Sequence, residues 1–306
     1  MSFPYFGEFC GLIAAILWSI TVVLLRKSTY EITPFLINPI KNTIGFFLFL
    51  IFFQFFEIPF WYELNFSSDY MKILVSGALG MALGDTIFIY ALSTIGANRV
   101  AIVDSFSPFV IYFYSLLMLQ NQTLSIMQFV GFLITIFAII MLTYEKDYDE
   151  IDFKVKTRGI FLVLFAMSCT GFGVVLLKTV LNEINNQNIK FNLWVTVFRL
   201  FPGVVISWLI FSLQSNKQQL LIPLKKYKNI KILILASVLG PFLALAFWIL
   251  GYAYIDKPSV ASIISQMSVV FISILSWYFL NEKVSKIKIL SVITAFIGVT
   301  VTALAN

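Results

Sequence analysis

The sequence predicts an all-helical integral membrane protein with ten transmembrane helices, arranged as two inverted five-helix repeats. Composition is the first reason: 60% of the 306 residues are hydrophobic and only 12% are charged. Soluble domains carry about 25% charged residues, and they cannot hide so much apolar surface. The other two reasons are the regular spacing of the charges and an internal match between the two halves.

Charged and polar residues divide the chain into apolar segments of about 20 residues, the length of a membrane-spanning helix. The uncharged stretch between Asp104 and Glu145 exceeds one span, so it is predicted to hold two helices broken at "QNQTLS" (120–125). No segment shows the alternating polarity of a transmembrane strand. The predicted helices are 9–26, 34–56, 72–95, 98–119, 123–144, 158–180, 191–213, 229–255, 258–280 and 285–304.

The chain is internally duplicated. "VVLLRK" (22–27) matches "VVLLKT" (174–179), and Lys41-x3-Gly45 matches Arg199-x3-Gly203. The predicted organisation is a first repeat at 1–145, a polar linker at 146–157 and a second repeat at 158–306. Five helices per half reverse the orientation of the second half, which predicts an inverted repeat with a site between the halves near the membrane midplane.

Charge and composition predict the orientation in the membrane and exclude several kinds of partner and site. Most Lys and Arg residues fall in the loops after helices 1, 3, 5, 7 and 9, which places both termini outside the cytoplasm. The net charge of +6 is spread over loops and suits anionic lipid headgroups, not nucleic acid. There is no His, and Cys10 and Cys169 both lie in apolar runs, so neither a disulfide nor a metal site is predicted. There is no Gly-rich phosphate loop, so direct coupling to ATP is not expected. No cofactor is predicted.

Two segments resemble a known family. "VAIVDSFSPFVIYFYSLLML" (100–119) and "ASIISQMSVVFISILSWYFLNEKVS" (261–285), followed by Gly131 and Gly298, resemble the drug/metabolite transporter superfamily, in its EamA-like branch. The first half departs from the pattern at 120–122, where amides replace an acidic turn. The resemblance implies secondary transport of small metabolites, amino acids among them. It also implies a central cavity lined mainly by helices 1, 3, 4, 6, 8 and 9.

Two basic residues lie at hydrocarbon depth, at equivalent places in the two halves. These are Lys41 and Arg199, and Arg26 and Lys178 form a second equivalent pair. Residues kept in both halves are expected to serve the shared scaffold. All four are predicted to anchor helix ends by snorkelling to the membrane surface, although Lys41 and Arg199 also remain candidates for binding a substrate carboxylate.

The two intramembrane acids have no twin. Asp85 stands opposite Leu245 and Asp104 stands opposite Ile264, so both acids are predicted to serve chemistry specific to this protein. Ionisable residues inside a membrane usually face a cavity or one another. A carboxylate there can bind a substrate ammonium or exchange a coupling proton for a cation. The alternatives are that the acids and bases neutralise one another as structural clamps, or that Asp85 caps a broken helix.

Aromatic and polar residues complete the candidate substrate site. The aromatic candidates can stack on an organic cation or ring, and the glutamine can hydrogen-bond to substrate. The alternative is that the rings simply pack or face lipid and that the polar groups join neighbouring helices. Glycines 77, 80 and 84 are interpreted as helix-packing residues. The candidates are Asp85, Asp104, Trp18, Tyr90, Trp248, Tyr252, Gln266, Lys41 and Arg199.

The sequence therefore predicts a non-enzymatic secondary transporter of a small zwitterionic or cationic metabolite, with an amino acid or related amine favoured. Its expected partners are the small-molecule substrate, the lipid bilayer and a coupling proton, with no nucleic acid. It is expected to be a monomer or homodimer in the bacterial cytoplasmic membrane. Two alternatives are a broad-specificity exporter of hydrophobic cations and an intramembrane aspartyl protease, the latter suggested by "ALGD" (82–85).

Overall fold

Helices and short connections make up the described chain. The computed structural model describes residues 5–64, 67–119, 125–143, 151–183, 188–282 and 285–304, and no strand occurs within these ranges. We label the main helices α1 to α10 in chain order. They are α1 Phe6–Ser28, α2 Pro34–Phe56, α3 Ser68–Ile95, α4 Ala97–Met118, α5 Ile126–Thr143, α6 Phe153–Glu183, α7 Ile189–Ser212, α8 Lys228–Tyr254, α9 Pro258–Leu280 and α10 Lys286–Leu304.

A helix therefore occupies each predicted range, but eight of those in the described ranges are long and apolar enough to cross a membrane. Most of the predicted break at 120–125 and part of the predicted linker at 146–157 lie outside the described residues. Helix α6 begins at Phe153, inside the predicted linker. A short helix, Lys217–Leu221, and a 3-10 turn, Ile222–Lys225, lie between α7 and α8.

The two halves pack reciprocally. Helix α1 packs against α8 and α9, and its counterpart α6 packs against α3 and α4. Helix α2 packs against α7, and α5 packs against α10. The first helix of each half is thus built into the other half, so the contact between the repeats forms the centre of the protein.

Irregular helical turns recur at matching places in the central helices. Helix α3 contains a π-helical segment, Ala78–Gly84, and α8 contains one at Val238–Ala244. Helix α4 is interrupted after Asp104 and α9 after Ser265. Such irregularities are frequent at functional sites because they redirect side chains and free backbone groups. All four lie in helices on the contact between the halves.

Basic side chains cap two helix ends. Arg26 donates hydrogen bonds to the carbonyl oxygens of Leu92 and Ser93, at 2.9 and 2.6 Å, in the last turn of α3. Lys178, its counterpart, donates to two carbonyl oxygens at the end of α8, both at 2.8 Å. The last carbonyls of a helix lack partners within the helix and carry partial negative charge. A cation therefore satisfies them where water is scarce.

The predicted snorkelling of the basic residues is wrong for three of the four. The exposed fraction is 2% for Lys41, 1% for Lys178 and 0% for Arg199. The ammonium groups of Lys41 and Lys178 have polar partners inside the protein that offset the cost of burying a charge, and Arg199 has such a partner for its Nε in Oγ of Ser76.

The predicted packing role of the α3 glycines is confirmed. A Cβ atom at Gly77 would overlap the backbone carbonyl of Arg199 in α7. A Cβ at Gly84 would lie 2.8 Å from Oγ1 of Thr170 in α6. These glycines let α3 approach both neighbours closely.

We expect Gly77→Ala to destabilise the protein by about 1–3 kcal/mol, the usual cost of overpacking, because the clash is with backbone. Thermal unfolding of the purified protein in detergent measures the change. Gly251→Ala is the matched control: its Cβ would meet its nearest neighbour at 3.4 Å, an ordinary contact. Equal melting temperatures for the two variants would contradict this account of the α3–α7 contact.

Candidate functional site

A cavity of about 160 Å³ lies between the halves. Its walls come from the predicted helices α1, α3, α4, α6, α8 and α9, and α2 adds Lys41. The two π-helical segments end at Asp85 and Leu245, and both residues line the cavity. The equivalent positions of the repeats thus meet around one space, which holds an acid on one side and an aliphatic side chain on the other.

Seven of the nine predicted site residues line this cavity, and Tyr90 and Arg199 do not. Tyr90 lies five residues beyond Asp85, which rotates it by about 140° to another face of α3. There its ring packs against Phe35, with the ring centres 6.1 Å apart. The seven that line the cavity are Trp18, Lys41, Asp85, Asp104, Trp248, Tyr252 and Gln266.

Asp85 is paired with Lys41, which was one of the alternatives left open by the sequence. Nζ of Lys41 donates to Oδ2 of Asp85 at 2.6 Å and to Oδ1 of Asn42 at 2.9 Å. The lysine side chain is 2% exposed and the aspartate side chain is 15% exposed, so the aspartate is the partner that faces the cavity. The alternative that acids and bases pair is therefore confirmed for these two residues.

The other alternative, that Asp85 caps a broken helix, is wrong. The π-helical segment passes directly into α-helix at Asp85, whose φ and ψ are −64° and −38°, and the Asp85 carboxylate accepts a hydrogen bond from Lys41 of another helix. The backbone stays helical, so it leaves no free turn for a capping side chain to satisfy.

Two asparagines hold the π-helical segment beside this ion pair. Nδ2 of Asn38 donates to the carbonyl of Met81 at 3.0 Å and to Oγ1 of Thr86 at 2.8 Å. Nδ2 of Asn42 donates to the same Met81 carbonyl at 3.0 Å. Sequence analysis missed both asparagines. The signal was available, because Asn38, Lys41 and Asn42 have the i, i+3, i+4 spacing of one helix face.

Asp104 is the cavity's unpaired charge. It ends the first segment of α4, and its carboxylate has no hydrogen bond or ion pair with any residue that the structure describes. Lys41 and Asp85 neutralise each other across the same space. The formal charges of the residues that line the cavity therefore sum to one negative charge, and Asp104 is the acid without a counter-charge on that wall.

Gln266 is the second polar group without a partner. It separates the two segments of α9, is 5% exposed and lines the cavity. Its Oε1 has no hydrogen-bond partner among the described residues. The repeat offset that pairs Asp104 with Ile264 pairs Gln266 with Phe106, so this polar group is also present in one half only.

Arg199 lies behind the aromatic wall. Its guanidinium carbon is 5.2 Å from the ring centre of Trp248, and its Nε donates to Oγ of Ser76 at 2.9 Å. Its two terminal nitrogens have no hydrogen-bond partner in the described part of the chain. Gly80 makes room for the guanidinium, since a Cβ there would lie 2.8 Å from one of those nitrogens. Trp248 thus separates the arginine from the cavity.

Aromatic rings form two patches of the cavity wall. Trp18 packs against Phe88 with ring centres 5.9 Å apart, and Trp248 packs against Tyr252 at 4.5 Å. The site therefore combines one unpaired acid with apolar and aromatic surface, a combination that suits an organic cation.

One end of the protein is closed by a second polar cluster. The backbone N–H groups of Ala97 and Asn98, at the start of α4, donate to the two carboxylate oxygens of Glu282 at 2.8 and 3.0 Å. Nε of Arg26 lies 3.7 Å from the same carboxylate. Gly96 precedes α4 with φ of +84°, a conformation that favours glycine. Glu282, from the second half, thus caps a helix of the first half.

A hydrophobic layer separates this cluster from the cavity. Arg26 lies eight residues beyond Trp18 on α1, about 12 Å along the helix. Buried side chains of α1, α3, α4 and α9 fill the intervening space. The cavity is therefore closed towards the Glu282 end.

These features define a multi-pass helical membrane protein, built from two repeats around a central polar cavity. The profile of the EamA-like transporter family matches residues 5–144 and 157–304, which are nearly the whole chain in two repeats. The chain belongs to this family, as the sequence resemblance predicted.

Solved structures agree on the fold. One described only as "Crystal structure of protein" matches with a TM-score of 0.63 and 15% sequence identity, over 97% of this chain and 96% of that one. At that identity the likeness concerns the fold alone. No curated protein sequence matches the chain.

We expect Asp85→Asn to destabilise the protein by about 3 kcal/mol, because it leaves the Lys41 ammonium buried without its counter-charge. The double variant Lys41→Met/Asp85→Leu removes both charges, and we expect its stability to return close to that of wild type. Thermal unfolding of the wild type, Lys41→Met, Asp85→Leu and the double variant gives the coupling energy. Strictly additive effects would contradict a direct interaction.

Proposed function

We propose that this membrane transporter is a secondary transporter of a small cationic or zwitterionic metabolite, with an amino acid or related amine favoured, which works by alternating access in the bacterial cytoplasmic membrane. The unpaired carboxylate of Asp104 in the central cavity carries the proposal. An unpaired charge in a low-dielectric site is costly, and a ligand of opposite charge relieves that cost.

The charge pattern favours a cationic group on the substrate. Because Lys41 is bound to Asp85, Asp104 supplies the one negative charge that remains for a ligand. An ammonium beside Asp104 would neutralise the site. The same carboxylate can instead hold a proton while the cavity is empty and release it when a cation binds, which would couple transport to a proton gradient.

A zwitterionic substrate needs a partner for its carboxylate as well. The substrate can compete with Asp85 for Lys41, since the aspartate faces the cavity and the lysine lies behind it. Arg199 has two unpartnered nitrogens but lies behind Trp248, so it can serve only if that ring moves. Lys41 is therefore our preferred carboxylate partner.

Alternating access requires that the cavity open to one side at a time. The bonds from Ala97, Asn98 and Arg26 to Glu282 join the two halves and close one end. By the distribution of Lys and Arg this is the cytoplasmic end. Access from the cytoplasm would then require the halves to rock apart and break these bonds.

A broad-specificity exporter of hydrophobic cations remains the second candidate, and the aromatic walls around Trp18 and Trp248 favour it. The range of substrates distinguishes the two functions. The aspartyl protease alternative suits the site poorly, because an aspartic protease shares one proton between two adjacent carboxylates, whereas Asp85 is bound to a lysine.

We expect Asp104→Asn to abolish gradient-driven flux of cationic metabolites in proteoliposomes while leaving the fold intact, because the amide keeps the shape and removes the charge. Asp256→Asn is the control, since it makes the same change at an exposed position outside the cavity. A screen of amino acids and amines identifies the substrate first. Unchanged flux in Asp104→Asn would overturn the proposed site.

We expect Glu282→Gln to loosen the closed end, because one amide cannot accept from two backbone donors with the strength of a carboxylate. In a variant with Cys10 and Cys169 replaced by Ala, a single cysteine at buried position Ala101 reports opening by its rate of modification with an impermeant maleimide. We expect the rate to rise about fivefold, the result of losing roughly 1 kcal/mol.

The control for this experiment is Asp152→Asn, which removes the charge of an exposed acid whose side chain bonds locally, to the backbone N–H of Lys154 at 3.1 Å. Like Glu282, it follows an odd-numbered helix and belongs to the same end of the protein. If Asp152→Asn accelerated labelling as much as Glu282→Gln, general loss of charge would explain the result, and the specific closure would be refuted.

A further inference from the structure

We propose that Gln266 makes the site selective for cations that carry N–H groups, such as primary ammonium or guanidinium ions, over quaternary ammonium ions. The inference rests on the proposed function, because it concerns the cavity in which Asp104 would bind the cation. It goes beyond that function by assigning a specificity-determining residue on the opposite repeat.

The first observation is the unsatisfied amide oxygen. Gln266 is 5% exposed, and its Oε1 has no hydrogen-bond partner among the described residues, although the residue lines the cavity. Leaving a buried polar atom without a partner costs about 1–3 kcal/mol. A ligand in the cavity that donates a hydrogen bond to this oxygen would recover that free energy.

The second observation is a second unpartnered acceptor that lines the same cavity. Asp104 ends the first segment of α4, and Gln266 stands at the interruption of α9. The segment Pro258–Ser265 packs against Ser107–Met118, so the two interruptions belong to adjoining helices. The cavity thus offers a carboxylate and an amide oxygen together, and both atoms accept hydrogen bonds.

The positive charge of a cation does not by itself satisfy both Asp104 and Gln266. A quaternary ammonium neutralises Asp104 but has no N–H to give to Gln266, so the amide oxygen stays unpaired. A primary ammonium has three N–H donors and a guanidinium has five, enough to serve both acceptors. A site with buried hydrogen-bonding groups rejects analogues that cannot pair with them more strongly than a purely apolar site does.

The repeat symmetry supports a role specific to this chain. At the position equivalent to Gln266 the first half carries Phe106, so the scaffold does not require an amide at such an interruption. Asp104 and Gln266, one from each half, are both departures from the repeated pattern.

The test compares two cations of nearly equal size and shape. Tert-butylammonium and tetramethylammonium share a tetrahedral skeleton of five heavy atoms. The first carries its nitrogen as a peripheral NH3+ group with three N–H donors, and the second carries it at the centre with four methyl groups and none, so size does not explain a difference in affinity. Binding to the purified full-length protein in detergent is measured by calorimetry and by thermal shift. We expect wild type to bind tert-butylammonium about tenfold more tightly, the equivalent of one recovered hydrogen bond.

The variant Gln266→Met removes the acceptor and keeps a similar length. We expect it to weaken binding of tert-butylammonium while leaving tetramethylammonium unchanged, so that the preference disappears. Gln219→Met makes the same substitution at an exposed position and should preserve the preference. The thermal unfolding of each unliganded variant shows whether the protein is still folded.

The outcomes separate this inference from the proposed function. If both cations bind equally to wild type and both are lost in Asp104→Asn, the cation site stands and selection by Gln266 is refuted. A preference that survives in Gln266→Met also refutes it. If neither cation binds to wild type, the cationic substrate itself is refuted and the selectivity falls with it.

Discussion

The ion pair between Lys41 and Asp85 sets the chemistry of the whole centre. Inside a membrane, a buried charge is tolerated where a partner and hydrogen bonds offset its lost hydration. Lys41 finds that partner across the α2–α3 contact at 2.6 Å, and the adjacent asparagines bind the backbone of the π-helical segment that leads to Asp85. Because this pair is internally neutral, Asp104 is the acid on the cavity wall that has no counter-charge there.

Much of the fold followed from simple physics of the sequence. A bilayer demands apolar segments of fixed length, and internal duplication fixed the number and order of those segments. The ends of the helices were harder to predict from the sequence. Helix α6, for example, begins at Phe153, because polar residues can continue a helix beyond the membrane surface. The π-helical segments were not predicted, since they change hydrogen-bonding register without changing the apolar pattern.

Sequence analysis predicted most of the candidate residues that line the cavity, but it did not predict the contacts between them. Seven candidate residues reached the cavity because they share the helices that line it. The pairing of Lys41 with Asp85 depends on the rotation of two helices about their axes, which local sequence does not determine. The prediction that Lys178 snorkels was wrong because it assumed that a basic side chain near a helix end extends towards water. The carbonyls at the end of α8 offered a nearer partner. Glu282 lies within the segment that resembles the family, but its bond to Ala97 of α4 spans 185 residues of sequence.

The reciprocal packing of the repeats has a consequence for synthesis in the membrane. Helix α1 is synthesised before α8 and α9, so the face that later packs against them is first exposed to lipid. Two hydroxyl groups on this face are hydrogen-bonded within α1 itself. Ser19 donates to the carbonyl of Ala15 at 2.6 Å, and Thr21 donates to that of Leu17 at 2.8 Å. The rest of the buried face combines small residues, among them Gly7, Gly11, Ala14 and Ala15, with aliphatic ones such as Leu25. A helix whose polar groups are satisfied internally can remain single among lipid chains until its partners from the second half arrive.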